Sequence, residues 1–210
     1  MTQPRLLHMD EDLLVIEKPA GLLSVPGRGP DKHDSVSARV QAQVSGALIV
    51  HRLDMATSGL MIMARHPLSQ RLLSAAFERR AIEKRYVAVV HGQPASPTGD
   101  PWQTIDLPLR VDWPRRPLQK VDIQHGKPSQ TRWRTLSRGP ATTRLALEPV
   151  TGRSHQLRVH LQAIGHPIVG DALYGHEADS AERLMLHASG LTLAHPTHGQ
   201  VMRFESEPPF

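Results

Sequence analysis

Cysteine is absent from the 210 residues, which excludes disulfides, thiolate metal sites and a cysteine nucleophile. Aromatic residues are scarce, at 4% of the chain, and no apolar run approaches the roughly 20 residues needed to span a bilayer. The N-terminal stretch lacks an apolar signal core, so a soluble, unexported, cytoplasmic protein with no membrane association is expected. Neither a Gly-Lys-Ser/Thr phosphate loop nor a dinucleotide fingerprint occurs, and no cofactor is expected. Internal repeats and inter-domain linkers are also missing. At 39% apolar content, residues 1–210 are expected to form a single domain.

Positive charge is in excess. Lys and Arg number 25 against 20 Asp and Glu, giving +5 and a pI near 10.1. That balance suits a polyanionic partner, although an ordinary basic protein shares it. Strand signals outnumber helix signals. Strands are expected at residues 5–9, 13–17, 84–90, 131–137, 142–148, 184–187, 191–195 and 201–205, with a short one leading into His51. Helices are expected from Ser35 to Val44, from Pro67 to Arg79, and from a Ser154 cap to Ile164, where Gly165 stops the last. Residues 92 to 101 read as loop. Strands that follow one another directly point to an α+β fold with a mainly antiparallel sheet flanked by helices and loops.

One carboxylate stands out. Asp54 lies in the polar break His51-Arg52-Leu53-Asp54-Met55-Ala56-Thr57-Ser58-Gly59 between two apolar runs, where a strand meets a loop. A lone aspartate there is usually a turn or capping residue. Held ionised in a partly dry pocket, it can serve as nucleophile or base. In Thr151-Gly152-Arg153-Ser154-His155-Gln156-Leu157-Arg158-Val159-His160, Arg158 lies at the flank of a buried stripe and can clamp a carboxylate or phosphate. Arg153, just before the helix, can meet a phosphate. Tyr86 is either core packing or a platform for a base beside Lys84 and Arg85, whereas Tyr174 reads as structural. The segment Asp112-Trp113-Pro114-Arg115-Arg116-Pro117 reads as an exposed basic loop between strands. His155 and His160 are five residues apart, about 140° around a helix, and cannot share a metal from one face. A bound metal would need His166 or another distant residue, and none is expected.

Five segments in order resemble the RluA-type pseudouridine synthases. They are His51 to Asp54 with Thr57-Ser58-Gly59, Lys84-Arg85-Tyr86-Val87-Ala88, Thr151 to His160, Gly165-His166-Pro167-Ile168, and Leu186-His187-Ala188. The resemblance runs from about residue 5 to the C-terminus and implies the pseudouridine synthase catalytic fold. It also implies isomerisation of uridine without redox change or cofactor: the N1 bond to the sugar breaks, the base turns, and C5 joins C1′. By the same resemblance Asp54 is the catalytic carboxylate, as nucleophile or as base at the sugar, and Arg158 pairs with it. Tyr86 stacks on the flipped base and takes the C5 proton. Arg52 fills the gap left in the RNA stack, and Leu186 walls the pocket. His51, Arg153, Arg115 and Arg116 count among the RNA-contacting residues.

The segments Asp112 to Pro117 and Gly126-Lys127-Pro128 resemble the branch of the family that modifies a tRNA anticodon-loop uridine and a large-subunit rRNA hairpin. Structured RNA of those two kinds is therefore the expected partner, and a monomer the expected state. Many relatives carry an S4-like N-terminal RNA-binding module. Here 50 residues precede His51, so no such module is expected and the core recognises RNA itself. Competing readings are a non-catalytic RNA-binding protein or chaperone on the same fold, a metal-dependent RNA hydrolase, and a relative with a different target uridine.

Overall fold

The computed structural model describes residues 3–29, 32–95, 102–176, 179 and 181–210. In chain order the strands are β1 (Arg5–Met9), β2 (Leu13–Lys18), β3 (Leu48–Ile49), β4 (Ser58–Ala64), β5 (Glu83–His91), β6 (Gln103–Asp106), β7 (Leu109–Val111), β8 (Gln119–Val121), β9 (Gln130–Arg138), β10 (Thr142–Pro149), β11 (Leu186–Ala194) and β12 (Val201–Glu205). The helices are α1 (Val36–Gln41), α2 (Pro67–Glu78) and α3 (Gln156–Ala163). Few helices among many strands make this the expected α+β class. The chain divides into two compact units, Met1–Lys84 with His187–Pro209 and Arg85–Leu186 with Phe210.

In the first unit β2 is antiparallel to β1 and β4, while β11 runs parallel to β4 and antiparallel to β12, so the sheet is mixed. β2 and β4 carry almost unbroken buried runs, Leu13 to Ile16 and Ser58 to Ala64, as strands covered on both faces do. One edge of β4 pairs with β2 along its length. The other edge is shared: β11 takes Ser58 and Gly59, and β3 takes Met63 and Ala64. The core gathers Leu13, Val15, Leu60, Ile62, Leu73, Ile82, Leu191 and Leu193. α2 contributes Leu73 and starts at Pro67, with His66 and Ser69 forming a reciprocal cap.

The second unit is an antiparallel sheet in the order β5-β10-β9-β6. Its strands alternate, with Thr143, Leu145 and Leu147 of β10 buried between half-exposed neighbours, the mark of a sheet with one covered face. α3 turns Leu157, Val159 and Leu161 inward. β7 and β8 form a separate two-stranded ribbon, joined by the 3₁₀ turn Trp113–Arg115, and Leu109, Leu118 and Val121 pack against Val159 and Tyr174.

Three expectations shift. β11 is one continuous strand where two were read, because Gly190 stays in register opposite Glu205. α1 ends at Gln41, short of Val44. α3 begins at Gln156, and Ser154 is not its cap: His155 occupies that position at φ 53°, in the left-handed region. Of the loop expected over residues 92 to 101, residues 96 to 101 lie outside the described residues.

Gly59 is required where it stands. It has φ 112°, and a Cβ there would run into the backbone of Ala188 across the parallel pair. Gly59→Ala is expected to cost at least about 1–3 kcal/mol of stability, read as a lower urea midpoint.

Candidate active site

The segment around Asp54 has no regular secondary structure, so its backbone polar groups need other partners. Ser24 Oγ accepts from Leu53 N–H at 3.1 Å and donates to Leu53 O at 2.6 Å. On the other side Met55 O accepts from Gly21 N–H at 2.9 Å and from Lys18 Nζ at 2.8 Å. Lys18 is fully buried and also donates to the carbonyls of Pro19 and Leu22. Both neighbours of Asp54 are thus tied to residues 18–24, and Thr57 N–H closes a turn on Asp54 O at 3.1 Å. Asp54 itself is half-buried, and Arg52 is exposed.

His51, expected among the RNA-contacting residues, is engaged within the fold. Its Nε2 accepts from Ile62 N–H at 2.9 Å, a donor on the shared edge of β4 between the reaches of β11 and β3. The ring stacks on Phe77 with centroids 4.3 Å apart. Burial, and secondarily the Lys84 ammonium, push the imidazole down to about 3. His51 is therefore a neutral edge cap. Beside it, Ser58 Oγ lies 2.8 Å from His187 Nδ1, and His187 Nε2 lies 2.9 Å from Ser206 Oγ, which donates to Glu17. With that hydroxyl hydrogen spent on the carboxylate, His187 donates through Nε2 and accepts from Ser58.

In the second unit, Gln156 organises the Thr151 to His160 segment. Its Oε1 accepts from Thr151 Oγ1 at 2.6 Å and Arg153 N–H at 3.0 Å, while Nε2 donates to Gln130 O and Thr131 Oγ1. That explains why Ser154 is not needed as a cap. His160 bridges Thr131 Oγ1 and Leu107 O, and its burial lowers its basicity. Arg158 is buried, with Nε 2.8 Å and Nη2 2.7 Å from the two oxygens of Asp171. Asp171 Oδ1 also accepts from the N–H groups of Leu173 and Tyr174. The guanidinium is therefore aimed by a carboxylate that is itself held by backbone.

Tyr174 is buried, and its hydroxyl accepts from Gln119 N–H and meets His155 Nδ1 at 2.7 Å, in keeping with a structural role. Tyr86 sits half-buried on β5 opposite Leu147. Leu186 is buried at the start of β11. Arg153 is exposed, its Nε 3.3 Å from Pro128 O. In the ribbon, Arg115 is bound to the buried Asp112, and Arg116 lies over the Trp113 ring. His166 is engaged with His91 O, and among the described residues no three His, Asp or Glu side chains are placed to hold a metal.

Sequence reasoning missed Lys18, Ser24, Asp171 and Gln156 as organisers. The buried lysine was masked by its place at the end of a strand before Pro19. Asp171 sits in Gly170-Asp171, which reads simply as a turn.

Residues 12–163 match the family model described as RNA pseudouridylate synthase. The chain belongs to that family of RNA-modifying isomerases. It is 49% identical over 208 residues to a dual-specificity RNA pseudouridine synthase RluA of Yersinia pestis, covering 98% of this chain and 99% of that one. To the RluA of Escherichia coli strain K12 it is 47% identical over 208 residues, 98% of this chain and 93% of that one. Among solved structures, human RNA pseudouridylate synthase domain containing 1 superposes with TM-score 0.81 at 27% identity, covering 99% of this chain and 84% of that one. Human RNA pseudouridylate synthase domain containing 4 shares the fold at TM-score 0.77 and 23% identity, covering 98% and 88%. Among the described residues no helix is long and apolar enough to cross a membrane.

Two stability predictions follow from this geometry. Asp171→Asn removes the carboxylate charge on which the buried Arg158 fork is seated and is expected to cost about 3–5 kcal/mol, measured by urea unfolding. For His51, the unfolded chain takes up a proton below the ordinary value of 6.5 while the folded ring resists until about 3. Stability therefore falls as pH drops through that window, by at most about 1.4 kcal/mol per pH unit. His51→Gln can still accept from Ile62 but cannot titrate, so its unfolding free energy is expected to fall less between pH 7 and pH 5 than that of the wild type.

Proposed function

We propose that this protein isomerises one uridine in a tRNA anticodon loop and one in a hairpin of the large ribosomal RNA, acting as a cytoplasmic monomer that recognises RNA through its own catalytic fold. The observation that carries the site assignment is the clamp on the residues flanking Asp54, a half-buried carboxylate on an irregular segment whose neighbours are held by Lys18, Gly21 and Ser24. The dual substrate range is supported by the names of relatives at 47–49% identity over almost the whole chain.

In this reading Asp54 acts at the sugar while the N1–C1′ bond breaks, as nucleophile or as base. The base turns within the pocket, C5 bonds to C1′, and the C5 proton passes to Tyr86. Nothing is oxidised or reduced, and the proton lost from C5 is balanced by one taken up at N1. Arg158 pairs with the Asp54 carboxylate in this reading; its buried fork on Asp171 supports the role by restricting the guanidinium to one orientation. Arg52, exposed two residues before Asp54, takes the place of the extruded base, which offsets part of the few kcal/mol that unstacking costs. Leu186 walls the pocket. Arg153, Arg115 and Arg116 meet phosphates, Arg115 while bracing its own loop.

Tritium release from RNA labelled at uridine C5 tests the reading, with an anticodon stem-loop and an rRNA hairpin as transcripts. Wild type is expected to release label from both, and Asp54→Asn from neither while still binding. Arg158→Met is expected to slow release by at least about a hundredfold. Binding of both transcripts without release by the wild type would favour a fold kept for RNA binding alone.

A further inference from the structure

We propose that Trp113 is a stacking platform for an unpaired base of the substrate RNA, presented on a braced arm whose remaining charges face the phosphates. The proposal rests on the RNA substrate of the previous section and deepens it by naming the residue that grips the RNA away from the reacting uridine. Trp113 is 59% exposed, an unusual state for the largest aromatic side chain. Its exposure is not that of a loose loop.

The 3₁₀ turn carrying it is closed by Asp112 N–H on Leu118 O, Arg115 N–H on Asp112 O, and Leu118 N–H on Arg115 O. The buried Asp112 carboxylate takes Arg115 at 2.8 Å through Nε and 2.6 Å through Nη2. At the base of the arm Gln119 N–H donates to the buried Tyr174 hydroxyl, and Leu118 and Val121 pack beside it. A rigid aromatic surface loses little entropy when a base stacks on it.

The charge around the ring selects the occupant. Arg116 Cζ lies 3.1 Å from the Trp113 ring centroid, so the guanidinium covers one face and leaves the other for a second planar group. Asp112 is spent on Arg115, and Asp122 is bound to Arg110. Among the described residues no carboxylate pairs with Arg116 or Lys120. A π-surface flanked by unneutralised cations fits a nucleobase with its phosphates better than an apolar protein partner. Stacking tolerates any base, so the arm would grip either transcript.

The test measures binding of the anticodon stem-loop and the rRNA hairpin to the full chain over a range of salt concentrations. Stacking and charge have different signatures, because only charge alters the dependence of affinity on salt. Trp113→Ala is expected to weaken binding by about 5- to 100-fold at unchanged salt slope and unchanged thermal midpoint. Trp113→Phe should lie closer to wild type than to the alanine variant. Arg116→Ala should reduce the salt slope by nearly one. Wild-type affinity for Trp113→Ala, or a phenylalanine variant as weak as the alanine one, overturns the platform. If such a variant releases tritium with unaltered KM, the platform fails while the isomerase stands. Wild type that binds neither transcript overturns both.

Discussion

The arrangement around Asp54 depends on one buried ammonium group. Lys18 is withdrawn from water, and an amine there must replace its hydration with polar atoms or lose its charge. The carbonyls of Pro19, Leu22 and Met55 do so. Each would otherwise be a backbone acceptor at a turn with no strand to pair it. A cation and three carbonyls therefore satisfy each other, and the loop bearing Asp54 is drawn onto the end of β2. Ser24 repeats the logic with a hydroxyl that both accepts from and donates to Leu53.

The second unit reaches the same end with a different device. Arg158 and Asp171 form a buried ion pair, which adds little net stability because both partners are desolvated. What such a pair supplies is direction. Two parallel bonds prevent the planar head from rotating, and the backbone N–H groups of Leu173 and Tyr174 prevent the carboxylate from following it. In both units the side chain assigned to chemistry is positioned through backbone contacts, the least mutable part of a protein.

Much of this was legible in the sequence, and the rest was hidden for physical reasons. Strand signals located β1 and β12 to the residue, period-two patterns placed β9 and β10 to within one residue at each end, and Pro67 marked the start of α2. The polar break around Asp54 was correctly read as a loop next to a buried strand. Lys18 was not recognisable, since a lysine ending a strand normally reaches into water and its partner Met55 lies 37 positions away. Gln156 was passed over because capping rules search for short polar residues before a helix. The left-handed turn at His155 instead brings a longer side chain back onto Arg153 N–H. His51 read as part of a charged motif, yet its ring faces a backbone donor created by the division of an edge between two strands. Motifs thus marked the segments assigned to chemistry, and long-range closure decided which of their members serve structure.

The parallel pairing of β11 with β4 has a consequence for synthesis on the ribosome. The second unit is nearly one continuous stretch of chain and can complete its sheet as soon as Pro149 has emerged. The first unit cannot. Ser58 waits for His187, 129 residues later, and until then β4 lacks its partner at Ser58 and Gly59 and the core lacks Leu191 and Leu193. Such intervals favour aggregation and chaperone capture. In vectorial folding the pairing of Ser58 and Gly59 with β11 is therefore among the last contacts of the first unit to form, a few residues beyond the loop that holds Asp54.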